Sequence, residues 1–287
     1  MRAADCGGNS GTRPNVLKST STIASWMNSS EPVAKMSSRG PTETRLTSRK
    51  RGSTGLAALI DPDNFHKKHA ILVAKTVEKL GFNCVFIGGS TLGDQSHLDE
   101  IVLAVKQHIT SPVILFPGNI TGISRHADAI LFSSLLNSTN TYFIVGAQAL
   151  GAIQVKRYHL EAIPMGYLVF GDESTTSFIG QVRPIPYTKP EVAVMYALAA
   201  QYLGMRALYL EAGSGSNHPM PAEVVEAVRK NFEGLLIVGG GITTPQTATR
   251  LAQAGADLLV IGNLLEANDF ESKLLPIIKS LRDKLKH

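Results

Sequence analysis

The chain predicts a (βα)8 barrel with a short or missing third helix, preceded by a disordered N-terminal extension. Three observations predict it. Eight short apolar runs recur at regular intervals after residue 54, amphipathic stretches lie between them, and glycine and carboxylate residues gather where the runs end. Short apolar runs bounded by turn residues read as parallel strands buried on both faces. Alternation with helices then gives either a closed barrel or a doubly wound sheet. Eight strands favour the barrel, because the wound sheet usually has fewer.

The runs are 55–61 (GLAALID), 83–89 (NCVFIGG), 112–117 (PVILFP), 128–133 (DAILFS), 162–170 (AIPMGYLVF), 206–211 (RALYLE), 234–238 (GLLIV) and 257–261 (DLLVI). Helical patterns cover 66–80, 94–108, 140–157, 190–203, 221–231, 245–254 and 270–285. The third connection, 118–127, is too short for a barrel helix, and its Pro117-Gly118 and Gly122 predict a loop or one turn. The stretch 171–187 between run five and its helix is long, polar and proline-bearing, as a lid or an oligomer contact would be.

Barrel active sites lie where strands end. Run one ends in Asp61-Pro62-Asp63. Asp61 is a hard oxygen ligand suited to magnesium; Asp63 or Asn64 reads as an N-cap of the next helix. Run two ends in Gly88-Gly89-Ser90-Thr91, where Ser90 either offers oxygen to a metal or diphosphate or caps a turn. Run six ends in Tyr209-Leu210-Glu211-Ala212-Gly213-Ser214-Gly215. The loop amides suit an oxyanion, and the carboxylate can take a hydroxyl proton. Strand alternation turns Tyr209 and Glu211 to one side and Leu210 to the other. Run seven ends in Gly239-Gly240-Gly241 and run eight in Gly262-Asn263, the two loops that often build a phosphate site in such barrels. The residues thus predict a phosphorylated small molecule over strands six to eight and a metal- and diphosphate-binding end over strands one and two.

Charge excludes one class of partner. The net charge is +5, but residues 1–54 hold nine Lys/Arg against three Asp/Glu, and the rest is near neutral. A nucleic-acid surface needs a basic stripe on the folded body, and none is legible. The 17 Ser/Thr of residues 1–54 and their few large apolar residues predict an extension that cannot repay its ordering entropy. A start codon set too early, with Met27 and Met36 as internal starts, an organelle transit peptide and a functional basic arm are the other readings. No apolar run reaches a membrane span, and two cysteines without a metal or disulfide pattern suit a reducing compartment. The expected location is the cytoplasm.

The stretches LIDPDN (59–64), FIGGST (86–91), ILFPGN (114–119), YLEAGSG (209–215), VGGGI (238–242) and IGN (261–263) together resemble the geranylgeranylglyceryl phosphate synthase family, which includes bacterial heptaprenylglyceryl phosphate synthases. Each motif is weak alone, but six in order make the resemblance specific, and it covers residues 55–287. It implies transfer of a polyprenyl group, geranylgeranyl above all, from its diphosphate to the sn-3 hydroxyl of sn-glycerol 1-phosphate. That step makes the first ether bond of archaeal-type membrane lipids. It implies that Asp61 and Ser90 hold Mg2+, that Tyr209, Leu210, Glu211, Ala212, Gly213, Ser214, Gly215, Gly240, Gly241, Gly262 and Asn263 hold glycerol 1-phosphate, and that Glu211 orients or deprotonates the hydroxyl. Dimers or hexamers and at most peripheral membrane contact are implied too. One branch of the family carries a lysine where this chain has Leu59; the ILFPGNITGIS and YLEAGSGS wording resembles the other branch. A tail channel is expected along Ile120, Ile123, Leu131, Phe132, Tyr142, Ile163, Met165, Tyr167 and Val169. The competing functions are a phosphate-binding isomerase or lyase barrel and a non-catalytic binding protein. A Schiff-base lyase needs a lysine within a strand, and no run contains one.

Overall fold

Side-chain alternation along each apolar run sorts the core into two layers. In the computed structural model, which describes residues 38–48, 53–91, 93–171, 174–213 and 218–284, eight parallel strands close in sequence order. They are β1 (Gly55–Ile60), β2 (Cys84–Ile87), β3 (Val113–Leu115), β4 (Ala129–Leu135), β5 (Glu161–Val169), β6 (Ala207–Glu211), β7 (Leu235–Gly239) and β8 (Leu258–Ile261). One set of residues fills the barrel, among them Ala57, Phe86, Ile114, Leu131, Met165, Tyr209 and Ile237. Their neighbours Ala58, Ile60, Val85, Leu115, Ile130, Leu208 and Leu236 pack outward into the helix layer. That two-sided burial is why the runs read as continuously apolar.

The helices are α1 (Pro41–Thr47), α2 (Lys67–Lys79), α3 (Gln95–Lys106), α4 (Ala147–Arg157), α5 (Thr175–Ile179), α6 (Pro190–Tyr202), α7 (Ala222–Arg229), α8 (Pro245–Gln253) and α9 (Phe270–Lys284). Their starts follow capping chemistry. Asp94 accepts from the amides of Ser96 and His97 ahead of α3, and Thr244 accepts from Thr247 with Pro245 in the first turn of α8. Neither Asp63 nor Asn64 caps α2, as the sequence suggested. His66 does, accepting from the His69 amide, because the turn at 61–65 delays the helix by two residues.

The third connection holds only a 3-10 turn, Ile120–Gly122. The outer layer therefore lacks a full helix between α3 and α4. The expected helix over 140–157 opens as one π-helical turn, Tyr142–Gly146, before α4.

The expected extension over 1–54 needs correction. Gly40 opens the compact unit that contains the barrel, and α1 follows at once. Leu46 is fully buried in the barrel interior layer. Glu43 receives two hydrogen bonds from Arg206 Nε and one from its Nη2, all within 3.0 Å. The Glu161 carboxylate, at the start of β5, accepts from the amides of Thr42 and Glu43 at 2.7 and 2.8 Å. It supplies negative charge to the start of α1 from outside the helix. The stretch PTETRLT has only one large apolar residue, so no periodicity announced it. Residues 1–37 lie outside the described residues.

Candidate active site

Glu211 closes β6 and lines a groove at the strand ends that Gly240, Gly241, Gly262 and Asn263, after β7 and β8, do not line. Burial is nearly complete: Glu211 keeps 6 % of its exposure and Tyr209 1 %. The Gly213 amide donates to Glu211 Oε1 at 2.7 Å, and the Tyr167 hydroxyl donates to Oε2 at 3.4 Å. The nearby Tyr209 phenol favours the ionised form of this carboxylate. Loss of water raises the Glu211 pKa to about 7; the Gly213 amide and the two phenols pull the other way and only partly offset burial. Burial, with the nearby Glu211 charge, holds Tyr167 and Tyr209 well above the ordinary phenol range. A base poised near neutral pH suits proton abstraction from a hydroxyl.

The register explains the grouping. Tyr167 pairs with Tyr209, Val169 with Glu211, and Glu211 with Gly239. Tyr167, Tyr209 and Phe116 pack as three mutually contacting rings, with centroids 5.1–5.4 Å apart. Leu210 and Ala212 belong to the outer layer. Only their backbone remains for a ligand, and the Ala212 amide already donates to Gly239 O at 3.1 Å.

The three consecutive glycines meet different demands. A Cβ on Gly239 would sit 1.9 Å from the Tyr209 hydroxyl oxygen, so this glycine makes room for the phenol. Gly240 and Gly241 adopt φ of 88° and 67°, which side-chain-bearing residues rarely do. A Cβ on Gly240 would also meet Glu211 Oε1 at 2.7 Å, so this backbone turns directly past the carboxylate. Gly262 lies beside Leu59 and precedes the 3-10 turn Asn263–Glu266. Ser214 and Gly215 lie outside the described residues.

Asp61, Ser90, Leu59 and Glu211 all line one groove, with an empty volume of about 1110 Å³ counting its solvent-open mouth. Asp61 Oδ1 accepts from the Asp63 amide at 3.1 Å, and burial raises its pKa. A Cβ on Gly89 would fall 2.3 Å from that same oxygen, so the β2 glycine exists to admit the carboxylate. Ser90 Oγ meets Thr176 Oγ1 at 3.1 Å. Among the described residues no three His, Cys, Asp or Glu side chains converge as a metal cage. One carboxylate, one hydroxyl and open space still fit Mg2+, which keeps waters and shares substrate phosphates rather than filling a protein cage.

From Asp61 the groove runs sideways where the third helix is lacking. It is lined by Phe116, Ile120, Ile123, Leu131, Phe132, Phe143, Gly151 and Val155. Ile120, Ile123, Leu131, Phe132 and Tyr167 were foreseen. Ile163 and Met165 are instead sealed inside the barrel, and Val169 is fully buried away from the groove. Tyr142 is not a lining residue; it donates to Asn119 Oδ1 at 2.7 Å. Sequence reasoning counted Tyr167 only as apolar lining and missed its hydroxyl, and it missed Thr176. Tyr167 could have been found from the strand pairing that sets it beside Tyr209.

A family model described as the PcrB family matches residues 49–281. The chain belongs to the PcrB family. The geranylgeranylglyceryl phosphate synthase of Cenarchaeum symbiosum is 50 % identical over 236 residues, 82 % of this chain and 96 % of that one. The enzyme of the same name from Nitrosopumilus maritimus is 49 % identical over 84 % of this chain and 96 % of its own. A crystal structure of (S)-3-O-geranylgeranylglyceryl phosphate synthase from Thermoplasma acidophilum, in complex with its substrate sn-glycerol-1-phosphate, matches with a TM-score of 0.81 at 39 % identity. It covers 86 % of this chain and all of that one. A thiamine phosphate pyrophosphorylase from Pyrococcus furiosus, at 12 % identity and a TM-score of 0.53, shares the fold alone. For this PcrB-family chain, no helix among the described residues is long and apolar enough to cross a membrane.

Proposed function

We propose that this PcrB-family chain transfers a geranylgeranyl group from its diphosphate to the sn-3 hydroxyl of sn-glycerol 1-phosphate, releasing diphosphate. The observation that carries the reading is Glu211, a buried carboxyl with a pKa near 7 between glycine-rich strand ends and an apolar groove. Glycerol 1-phosphate binds with its phosphate over the strand ends at Gly240, Gly241, Gly262 and Asn263. Tyr209 and the 212–215 loop complete that site, with Leu210 contributing only backbone.

Glu211 accepts the proton of the attacking hydroxyl. The oxygen forms the ether bond as the C1–O bond of the allylic diphosphate breaks, and diphosphate departs with the bonding pair. The Gly213 amide and the Tyr167 hydroxyl hold the Glu211 carboxylate in place. An anchored phosphate fixes the hydroxyl in line with the reacting carbon. Asp61 and Ser90 would hold Mg2+, which supplies positive charge to the leaving diphosphate. The prenyl tail lies in the lateral groove between the 3-10 turn and α4. The chain works in the cytoplasm as a homo-oligomer, a dimer or hexamer, touching membranes at most peripherally.

The test is a product assay with the full chain, labelled glycerol 1-phosphate, magnesium and prenyl diphosphates of several lengths. A lipid-soluble labelled ether that requires magnesium is expected. Binding of glycerol 1-phosphate without product from any donor would overturn the reading in favour of a binding protein.

A further inference from the structure

The two side chains assigned to Mg2+ stand on different connections, Asp61 after β1 and Ser90 after β2. Two hydrogen bonds cross between these connections. Thr91 Oγ1 donates to Asp63 Oδ2 at 2.8 Å. His97, in the first turn of α3, meets the Pro62 carbonyl oxygen through Nε2 at 2.9 Å.

A carbonyl only accepts, so Nε2 carries the imidazole hydrogen and donates it. The Pro62 carbonyl and the Asp63 amide belong to one planar peptide. That amide donates to Asp61 Oδ1 at 3.1 Å. His97 therefore bears on the Asp61 carboxylate through a single rigid unit. Fixing the peptide oxygen fixes the plane, and the plane aims the N–H. Each bond also polarises the next. The Pro62 ring narrows the turn further by setting its φ. The histidine itself is anchored, because its amide donates to Asp94 Oδ1 at 3.2 Å where Asp94 caps α3. Asp61 lines the groove and His97 does not, so the imidazole works from behind the turn.

We propose that His97 is a positioning residue for the divalent-cation site, holding the Pro62–Asp63 peptide so that its N–H aims the Asp61 carboxylate into the groove. The inference rests on the Mg2+ reading of Asp61 under Proposed function. Leucine at 97 keeps an apolar body on α3 and removes the donor. The carbonyl is then free to rotate with its peptide, and Asp61 Oδ1 loses a fixed partner. Glutamine reaches with its amide nitrogen toward the place of Nε2 and restores the donor.

The experiment compares wild type, His97→Leu and His97→Gln in the full chain. Calorimetry measures geranylgeranyl diphosphate binding with and without Mg2+, and glycerol 1-phosphate binding; melts give Tm. In His97→Leu the Mg2+-dependent binding of geranylgeranyl diphosphate should weaken about tenfold, the lower end of the cost of losing support behind a metal ligand. Binding without Mg2+ and glycerol 1-phosphate binding should stay near wild type. His97→Gln should recover most of the loss. Undiminished Mg2+-dependent binding in His97→Leu, an equal loss with and without the ion, or no recovery in His97→Gln would each overturn the positioning role. A parallel fall of Tm and glycerol 1-phosphate affinity in His97→Leu would overturn it too. A wild type whose geranylgeranyl diphosphate binding ignores Mg2+ would overturn the cation site itself, and this role with it.

Discussion

Replacing Glu211 by Gln separates what this carboxyl contributes to turnover from what it does to stability. Its pKa in the folded chain is about 7 against an ordinary 4.5, and burial is the first cause. The folded chain therefore holds the proton more tightly than the unfolded chain does. The resulting stability is fully present below pH 4.5 and is lost as pH rises through 7. At about 1.4 kcal/mol per pH unit the whole swing is about 3 kcal/mol, of which about 2.5 kcal/mol falls between pH 5 and pH 8. Gln carries no such proton and keeps an oxygen for the Gly213 amide. Glu211→Gln should therefore gain about 2.5 kcal/mol on wild type between those pH values, a Tm difference that shifts by roughly 5–10 °C. Calorimetric melts of both proteins across that range read it directly, and the comparison cancels every other titrating group. Under the proposed reading the same ionisation sets the rate. Wild-type kcat should fall about tenfold per pH unit below 7, whereas Glu211→Gln should have little turnover at any pH yet bind glycerol 1-phosphate nearly normally. Parallel melting curves, or a wild-type rate flat from pH 5 to 7, would refute the assignment of a buried, neutral-range base.

Three further outcomes are expected. Asp61→Asn should weaken the magnesium dependence of prenyl diphosphate binding, seen by titration with and without the ion; an unchanged requirement would remove Asp61 from the metal site. Gly239→Ala should place a methyl on the Tyr209 hydroxyl, lower stability by about 1–3 kcal/mol and reduce kcat, measured by denaturant unfolding beside the product assay. Leu46→Ala should cost about 2–5 kcal/mol in the same unfolding measurement, because the side chain is wholly buried within the barrel. A Leu46→Ala protein as stable as wild type would mean that α1 does not close the barrel in solution.

Much of the barrel was legible because each strand is buried on both faces and each helix on one, so composition alone marked the periods. Asp61, Ser90 and Glu211 could be singled out because polar residues at the ends of apolar strands are conspicuous, and the structure brings all three to one groove. What stayed hidden depends on pairing across strands. Tyr167 reads as one more aromatic until its register neighbour Tyr209 and the adjacent Glu211 are known. Ile163 and Met165 fit channel lining as well as core in sequence, because inward- and groove-facing residues have the same composition. α1 was missed because Glu161 and Arg206, more than 100 residues away, hold it in place, and a local pattern carries no trace of such partners.

The absent helix after β3 changes what kind of container the barrel is. Leu46 and the inward side chains of the strands fill the barrel interior among the described residues, so under the proposed reading the long substrate lies over the rim and leaves through the flank. On that reading head-group chemistry and tail length are written in separate parts of the chain: the first in β1, β2 and β6 to β8, the second in the turn at 120–122 and in α4. Gly151 marks the seam, since a Cβ there would touch Ile123 Cδ1 at 2.8 Å without any backbone strain. Under the proposed reading, a lineage or an engineer could retune the thickness of the membrane that the product builds at such flank positions, leaving the bond-forming residues untouched.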